Sequence, residues 1–398
     1  MVKKYIATIL IAILMIASAY VIYNQYYASP SSSSSSPSSK SPSNDAQSSS
    51  TGDASTDSSS THKSSASSSS ESSNSTGVTV IDGAGYYVAL DASPKRVLVM
   101  DAGLAEILYI LGAQDLVVGR TSDVVFPTQF QNLPSVGQFA YYASLEAILD
   151  LQPDLVISSS QFGYSPVCQQ LRDLDIAVYL DSSDNPPAID TSKMTPAELY
   201  NCITRVDVVC DALKGVSELV GRKGQMDAYI TWAQSYNKLV KDRLTALTSE
   251  QRETVFYEWH AYPYRTYVDI SIYQGGGINI AEGHYGDYSS TLSPEFVVEQ
   301  NPSAIIALIS SVNHDVNDFI AAKNEILNRP ALKDVDAVNN ERVYICDFAA
   351  RNGLRSVIGY LYYAQCLQPA LFSDIDLTTV SQQLYQQFGI PMSGTYCR

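Results

Sequence analysis

Histidine is scarce, at four residues in 398, and one of them, His62, sits in a serine-rich stretch that no core can use. The remaining His260, His284 and His314, with no His-rich loop around them, fall short of the several-histidine sets that hold bare zinc or manganese. Positive charge is thin as well. Lys and Arg total 25 against 41 Asp and Glu, for a formal net charge of −16, and no basic run exceeds two residues. A nucleic-acid or other polyanionic partner is thereby excluded. Six cysteines form no CxxC, and none precedes Cys168. Gly275-Gly276-Gly277 lacks the Lys-Ser/Thr of a phosphate loop and reads as a tight turn. An enzyme would need a nucleophile with a base, or paired carboxylates. Only the proximity of Glu258, Glu282 and Asp287 offers that, in the manner of a sugar hydrolase, so the chain reads as a non-enzyme.

What is present starts with Lys3-Lys4 and an uncharged run from Tyr5 to Tyr23, which as a helix would rise about 28 Å, roughly the hydrocarbon thickness. Lysines on the cytoplasmic side place the rest of the chain outside. Ala17-Ser18-Ala19 also fits a signal-peptidase site, so release by cleavage stands beside anchorage. Residues 1–28 are therefore expected to be a signal anchor, and residues 29–76 a disordered Ser-rich tether, since that composition buries too little apolar area to offset ordering. Asn74-Ser75-Thr76 is a glycosylation sequon within it.

Beyond residue 77 the pattern changes. TVIDGAGYYVAL alternates around a glycine turn, as a hairpin does. VLVM, LVVG, DLVISS and IAVYLD are apolar runs suited to parallel strands covered on both faces, and AGLAEILYILG, SLEAILDL and SPVCQQLRDL between them have helical spacing. After a proline-free stretch from Glu218 to Leu247, read as one long helix, the alternation restarts. ETVFYEW, AIIALIS and RVYICDF are strands, interleaved with SPEFVVEQ, DFIAAKNEIL and GLRSVIGYLYYAQCL as helices. The fold class is α/β: two Rossmann-like lobes, 77–217 and 250–398, joined by a helix over 218–249. Six cysteines outside the cell allow up to three disulfides, with connectivity left open.

PKRVLVMDAGLAEILYILGAQDLVVGRTSD, SLEAILDLQPDLVISS, GGGINIAEG, SPEFVVEQNPSAIIAL and RVYICDFAARNGLRSVIGYLYYAQCLQPALF, in this order, resemble the ABC-transporter substrate-binding proteins for iron complexes and corrinoids. The resemblance implies a small-molecule metal complex (siderophore, haem or corrinoid) clamped between lobes that a rigid helix holds, with no cofactor of the protein's own. It also implies delivery to an ABC permease dimer with its ATPases. Glu146 and Glu295 match the positions at which this family offers one acid per lobe to permease arginines, although an acid at a helix start also serves that helix. The lipid-bearing N-terminal cysteine of many exported binding proteins is missing, and the helical anchor stands in for it.

In such folds ligand lies beyond the carboxyl ends of the strands. Loops there carry Phe126, Phe139, Tyr141 and Tyr142 in the first lobe, and Trp259, Tyr262 and Tyr264 in the second, with Tyr285 and Tyr288 farther on. Flat faces with hydroxyl tips suit a macrocycle or chelate, and core packing is the competing role for each ring. Arg120 and Arg351 are the candidate ligand cations, Arg355 a loop or cap residue, and His260 and His284 candidate ligands to a metal or a ligand oxygen. Bare-metal capture, and a surface receptor uncoupled from transport, remain the alternatives.

Overall fold

The computed structural model describes residues 77–182, 202–224, 226–267, 269–284, 289–309 and 315–391. The anchor, the tether, Asn74, Tyr285, Asp287, Tyr288, His314 and Cys397 lie outside the described residues.

The first half opens with an antiparallel hairpin, β1 (Val78–Ile81) and β2 (Tyr87–Leu90), as its glycine turn predicts. Four parallel strands follow: β3 (Val97–Met100), β4 (Val117–Arg120), β5 (Leu155–Ser158) and β6 (Ala177–Leu180), arranged β4-β3-β5-β6. β3 and β5 are buried at every position, which is why they read as unbroken apolar runs rather than alternating ones. Between the strands run α1 (Ala102–Ile110), α2 (Leu145–Asp150) and α3 (Pro166–Asp173), capped by Asp101, Ser144 and Ser165. Each cap side chain accepts an N–H that the helix itself leaves without a partner.

The connection between the halves differs from the single helix expected over 218–249. Over that span the chain holds the last two residues of α4 (Arg205–Leu219), a break, and then α5 (Met226–Leu244). Gly221, at φ +63°, takes the left-handed conformation that stops α4, and only glycine enters it without a Cβ penalty. α4 begins at Thr204 with a reciprocal capping box to Asp207, a signal the sequence reading passed over. α5 buries Tyr229, Ala233, Asn237, Val240 and Leu244, one stripe at helical spacing.

The second half repeats the plan. β7 (Glu253–Trp259) is followed by the short β8 (Arg265–Tyr267), α6 (Ile270–Gln274), β9 (Gly277–Asn279), β10 (Ser289–Thr291), α7 (Pro294–Gln300), β11 (Ala304–Ile309), α8 (Val316–Leu327), α9 (Asp336–Asn339) and β12 (Val343–Asp347). The parallel sheet runs β9-β7-β11-β12, the same order as β4-β3-β5-β6, and β8 pairs with β10 in a separate antiparallel ribbon. α10 (Phe348–Arg351), α11 (Ser356–Leu367) and α12 (Leu377–Phe388) complete the chain.

The halves do not hang from one strut. A single apolar cluster runs from Val97, Leu104 and Leu108 through Val209 and Leu213 of α4 and Tyr229 and Val240 of α5. It continues to Leu361 of α11 and Phe388 of α12. Rigidity between the lobes therefore comes from a shared close-packed core, which resists shear as a lone helix would not. Among the described residues no helix is long and apolar enough to cross a membrane. Cys168, Cys210 and Cys366 are buried free thiols.

Candidate functional site

Parallel strands put their carboxyl ends on one edge of each sheet, and ligand crevices form there. In the second lobe this edge bears the ends of β7 and β12, where Trp259 and Phe348 stack at 5.8 Å with 28° between their planes. Trp259 also packs against Tyr267, centroids 5.2 Å apart. The Arg265 guanidinium lies 5.4 Å from the Tyr267 ring and 5.6 Å from the Tyr262 ring. Tyr262 and Phe348 are exposed, Trp259, Arg265 and Tyr267 half-buried. The result is a wall of flat faces with one cation set among them, an arrangement that offers stacking and an ionic hydrogen bond together. Arg265 donates from Nη2 to the Ser289 hydroxyl at 3.1 Å, and among the described residues no carboxylate lies within ion-pair distance of it.

Arg265, Tyr267 and Phe348 were not anticipated. Arg265 and Tyr267 occupy alternate positions of a three-residue strand paired with Ser289–Thr291, too short a run to display a period. Conversely, both expected cations are committed elsewhere. Arg120 donates to the carbonyls of Phe130, Thr121 and Gln131 and so staples the loop after β4. Arg351 is buried and pairs with Asp269 at 2.8 Å. Arg355 is also paired, with Glu106.

The aromatic candidates divide. Phe139, Tyr141 and Tyr142 are exposed together on the first-lobe rim, where Ser165, at the start of α3, donates to the Tyr141 carbonyl at 3.4 Å. Phe126 instead packs edge-on against Tyr109 at 5.0 Å and joins the shared core. Tyr264 is a packing residue too, lying parallel to Phe256 at 6.2 Å on the second core. Its ring is covered by Arg329 at 5.2 Å.

The histidines are drawn off the crevice. His260 points its Nε2 to Glu325 at 3.4 Å, on the outer side of an ion-pair network. His284 rests on Phe296 of α7 at 4.8 Å and meets the Glu282 carbonyl through Nδ1. Among the described residues no group of three His, Cys, Asp or Glu could hold a metal ion. Glu258, the carboxylate closest to an enzymatic reading, is fully buried in an ion pair with Arg329.

On the first-lobe side the ends of β3 and β4 lead to Asp101 and Asp123. Burial pushes the Asp123 carboxyl up to about 6; the Thr121 hydroxyl opposes this and the charge on Asp101 adds to it. A carboxyl whose folded pKa lies above its unfolded one favours folding while it is protonated. That contribution is complete below the unfolded value of 3.8 and is lost as pH rises through about 6. Asp123→Asn should therefore stabilise the protein by about 1–2 kcal/mol above pH ~7 and by nothing below pH ~4. Urea unfolding of both proteins across that range measures it, and a pH-independent difference would refute it.

Glu146 and Glu295 occupy equivalent places. Ser144, Glu146, Ile148, Gln152, Pro153 and Leu155 recur, at the same spacing, as Ser293, Glu295, Val297, Asn301, Pro302 and Ala304. Ser144 and Ser293 cap their helices by accepting from Ala147 at 3.3 Å and Phe296 at 3.1 Å. Ile148 and Val297 are fully buried, and Gln152 and Asn301 both adopt positive φ, 46° and 42°, before a proline. α2 leads into β5 and α7 into β11, which hold the same rank in their sheets. Both glutamates are exposed at the second helical position, with no ion pair among the described residues.

The model of the periplasmic binding protein family matches residues 97–350. The uncharacterized ABC transporter substrate-binding lipoprotein YvrC of Bacillus subtilis is 24% identical over 305 residues, 75% of this chain and 87% of that protein. A cobalamin-binding protein of Halobacterium salinarum is 25% identical over 286 residues, 67% of this chain and 69% of the relative. Among solved structures, the Haemophilus influenzae molybdate-binding protein MolA bound to molybdate superposes with a TM-score of 0.60. Its identity is 21%, over 78% of this chain and 97% of that one.

Proposed function

We propose a function that proceeds from one premise: the chain belongs to the periplasmic binding protein family. Its relatives include substrate-binding components of ABC transporters and a cobalamin-binding protein. In our reading the chain captures a metal complex, an iron chelate, haem or corrinoid, between its lobes and releases it unchanged to a permease dimer driven by ATPases. The lobes we assign are 77–217 and 250–398, with 218–249 between them. Tyr5–Tyr23 would tether the protein to the outer face of the cytoplasmic membrane.

The ring wall supports this reading most directly. Phe348, Trp259 and Tyr267 present the flat apolar faces that a macrocycle or chelate stacks against, and Arg265 adds a planar fork for a carboxylate, phosphate or hydroxamate oxygen. A tetrahedral oxyanion such as molybdate calls instead for converging donors, and Arg120 and Arg351 are engaged with protein groups. Phe139, Tyr141 and Tyr142 would close the crevice from the first lobe. Glu146 and Glu295, at matching places in the two halves, would each meet an arginine of one permease subunit.

Visible absorption and mass spectrometry of protein purified from its native host should reveal a Soret, corrin or charge-transfer band with a matching mass. A colourless preparation carrying stoichiometric molybdate or zinc would refute the reading. With haemin and cyanocobalamin as probes, quenching of Trp fluorescence should report binding of one of them. For that probe, Arg265→Gln and Phe348→Ala should each weaken affinity about tenfold, equivalent to about 1.4 kcal/mol. Unchanged affinity in both variants would remove the wall from the site.

A further inference from the structure

The turn Gly353–Arg355, between α10 and α11, belongs to the second half by sequence yet is gripped by the first. Glu106 of α1 uses both carboxylate oxygens on it. Oε1 pairs with Arg355 Nη1, and Oε2 accepts the Leu354 backbone N–H at 3.0 Å. Tyr229 of α5 donates its hydroxyl to the Leu354 carbonyl at 2.9 Å. Arg355 Nη2 donates to the Pro391 carbonyl at 2.8 Å. Both Glu106 and Arg355 are buried, so water does not screen the pair. Beside it the two backbones meet without side chains between them. A Cβ placed on Gly103 would fall 2.8 Å from the Gly353 Cα, and Gly353 itself sits at φ +59°, where glycine alone is unstrained.

The eight residues 348–355, which end in this turn, are anchored at their other end to the second lobe. Arg351 pairs with Asp269, and Phe348 stacks on Trp259 in the ring wall. The segment 348–355 is thus held to one half by Arg351 and to the other by Arg355, with the proposed ligand face at its start.

We propose that the Glu106–Arg355 pair, seated on the Gly103–Gly353 backbone contact, is an interlobe latch that sets the angle between the two halves, and through it the spacing of Glu146 and Glu295. Glu106, Arg355 and Gly103 are positioning residues here; none needs to touch ligand. The shared core restrains the halves, but apolar packing is non-directional, whereas a buried ion pair with a backbone hydrogen bond has one geometry.

The test is a distance measurement between the halves in the full chain. Nitroxide labels carried on non-canonical keto residues at Gln170 on α3 and Ala321 on α8, both exposed, avoid the native thiols. Electron–electron resonance should give one narrow distance distribution for the parent protein. Gly103→Ala keeps both charges and is favourable within a helix, and its tightest contact is with the facing turn, at 2.8 Å from the Gly353 Cα against 3.1 Å from the Asp101 cap carboxylate. It should shift the mean distance, or broaden the distribution by about twofold as a second state becomes populated. Glu106→Gln, which retains an acceptor for Leu354, should also broaden it, while Arg355→Lys, which keeps the charge, should stay closer to the parent. A distribution in folded Gly103→Ala that superposes on the parent overturns the latch, whether or not Glu106→Gln folds. The readout needs neither ligand nor permease, so its failure is distinct from failure of the transport reading.

Discussion

Reversing the charge at both proposed docking positions, Glu146→Arg with Glu295→Arg, is expected to abolish uptake and leave ligand affinity unchanged. Both side chains are exposed on helices outside the ring wall, so neither substitution alters the ligand surface. An exposed ion pair is worth only about 0–1 kcal/mol, which suits a complex that must form and dissociate in every cycle. Reversal does more than delete that attraction. In the proposed complex, two pairs of unlike charges become four like charges, and repulsion across a docked interface costs several kcal/mol. The price within the protein is small, since placing Arg near a helix N-terminus loses about 1 kcal/mol at most. Ligand-stimulated ATP hydrolysis by the permease in proteoliposomes is the direct measurement. Each single reversal should leave partial stimulation, and raised salt should weaken the parent itself, because surface pairs are screened. Full stimulation by the double variant would show that the permease docks elsewhere.

A second large effect is expected at Arg329. Its guanidinium donates to Glu258 through two hydrogen bonds, at 2.7 and 2.6 Å, and to Glu325 from Nη2 at 2.7 Å and from Nε at 3.0 and 3.2 Å. Burial works against its charged form, yet the bonds from Glu258 and Glu325 outweigh that and hold its pKa above the ordinary arginine value. Glu258, the penultimate residue of β7, has no exposed surface and also accepts the Tyr264 N–H at 2.8 Å. Glu258→Gln would leave a buried cation facing only Glu325, whose side chain is 47% exposed. Breaking such a pair by removing one partner costs about 3–5 kcal/mol, a large part of a typical domain's stability. Replacing both members, as in Glu258→Leu with Arg329→Met, should recover most of that loss, since no uncompensated charge remains. Urea denaturation of the three proteins measures it. A cost below about 1 kcal/mol for Glu258→Gln would show that Arg329 has its compensation elsewhere.

The α/β class was legible because strands covered on both faces need apolar side chains at every position. AIIALI and VLVM have no other use in a soluble chain. The cap serines and the acids of α2 and α7 were legible for a similar reason, each helix start being a local matter of three or four residues. The bridge between the halves was misjudged at Gly221, where a helical apolar pattern continues through a residue that the backbone turns to positive φ.

The amino-acid sequence by itself determined the two parallel sheets, their helices and the twin Ser-x-Glu helix starts, since burial and capping act over a few residues and leave a local pattern. Tertiary structure alone decided which guanidinium groups are engaged by protein carbonyls and carboxylates. Arg120, Arg351 and Arg355 look alike in sequence, but partners in the folded chain engage each one, Glu106 reaching Leu354 from 248 residues away. Among the described residues Arg265 has no carboxylate partner, and a ribbon of three-residue strands holds it between two tyrosines. Whether a charge is available depends on its neighbours in space, and nothing local encodes them.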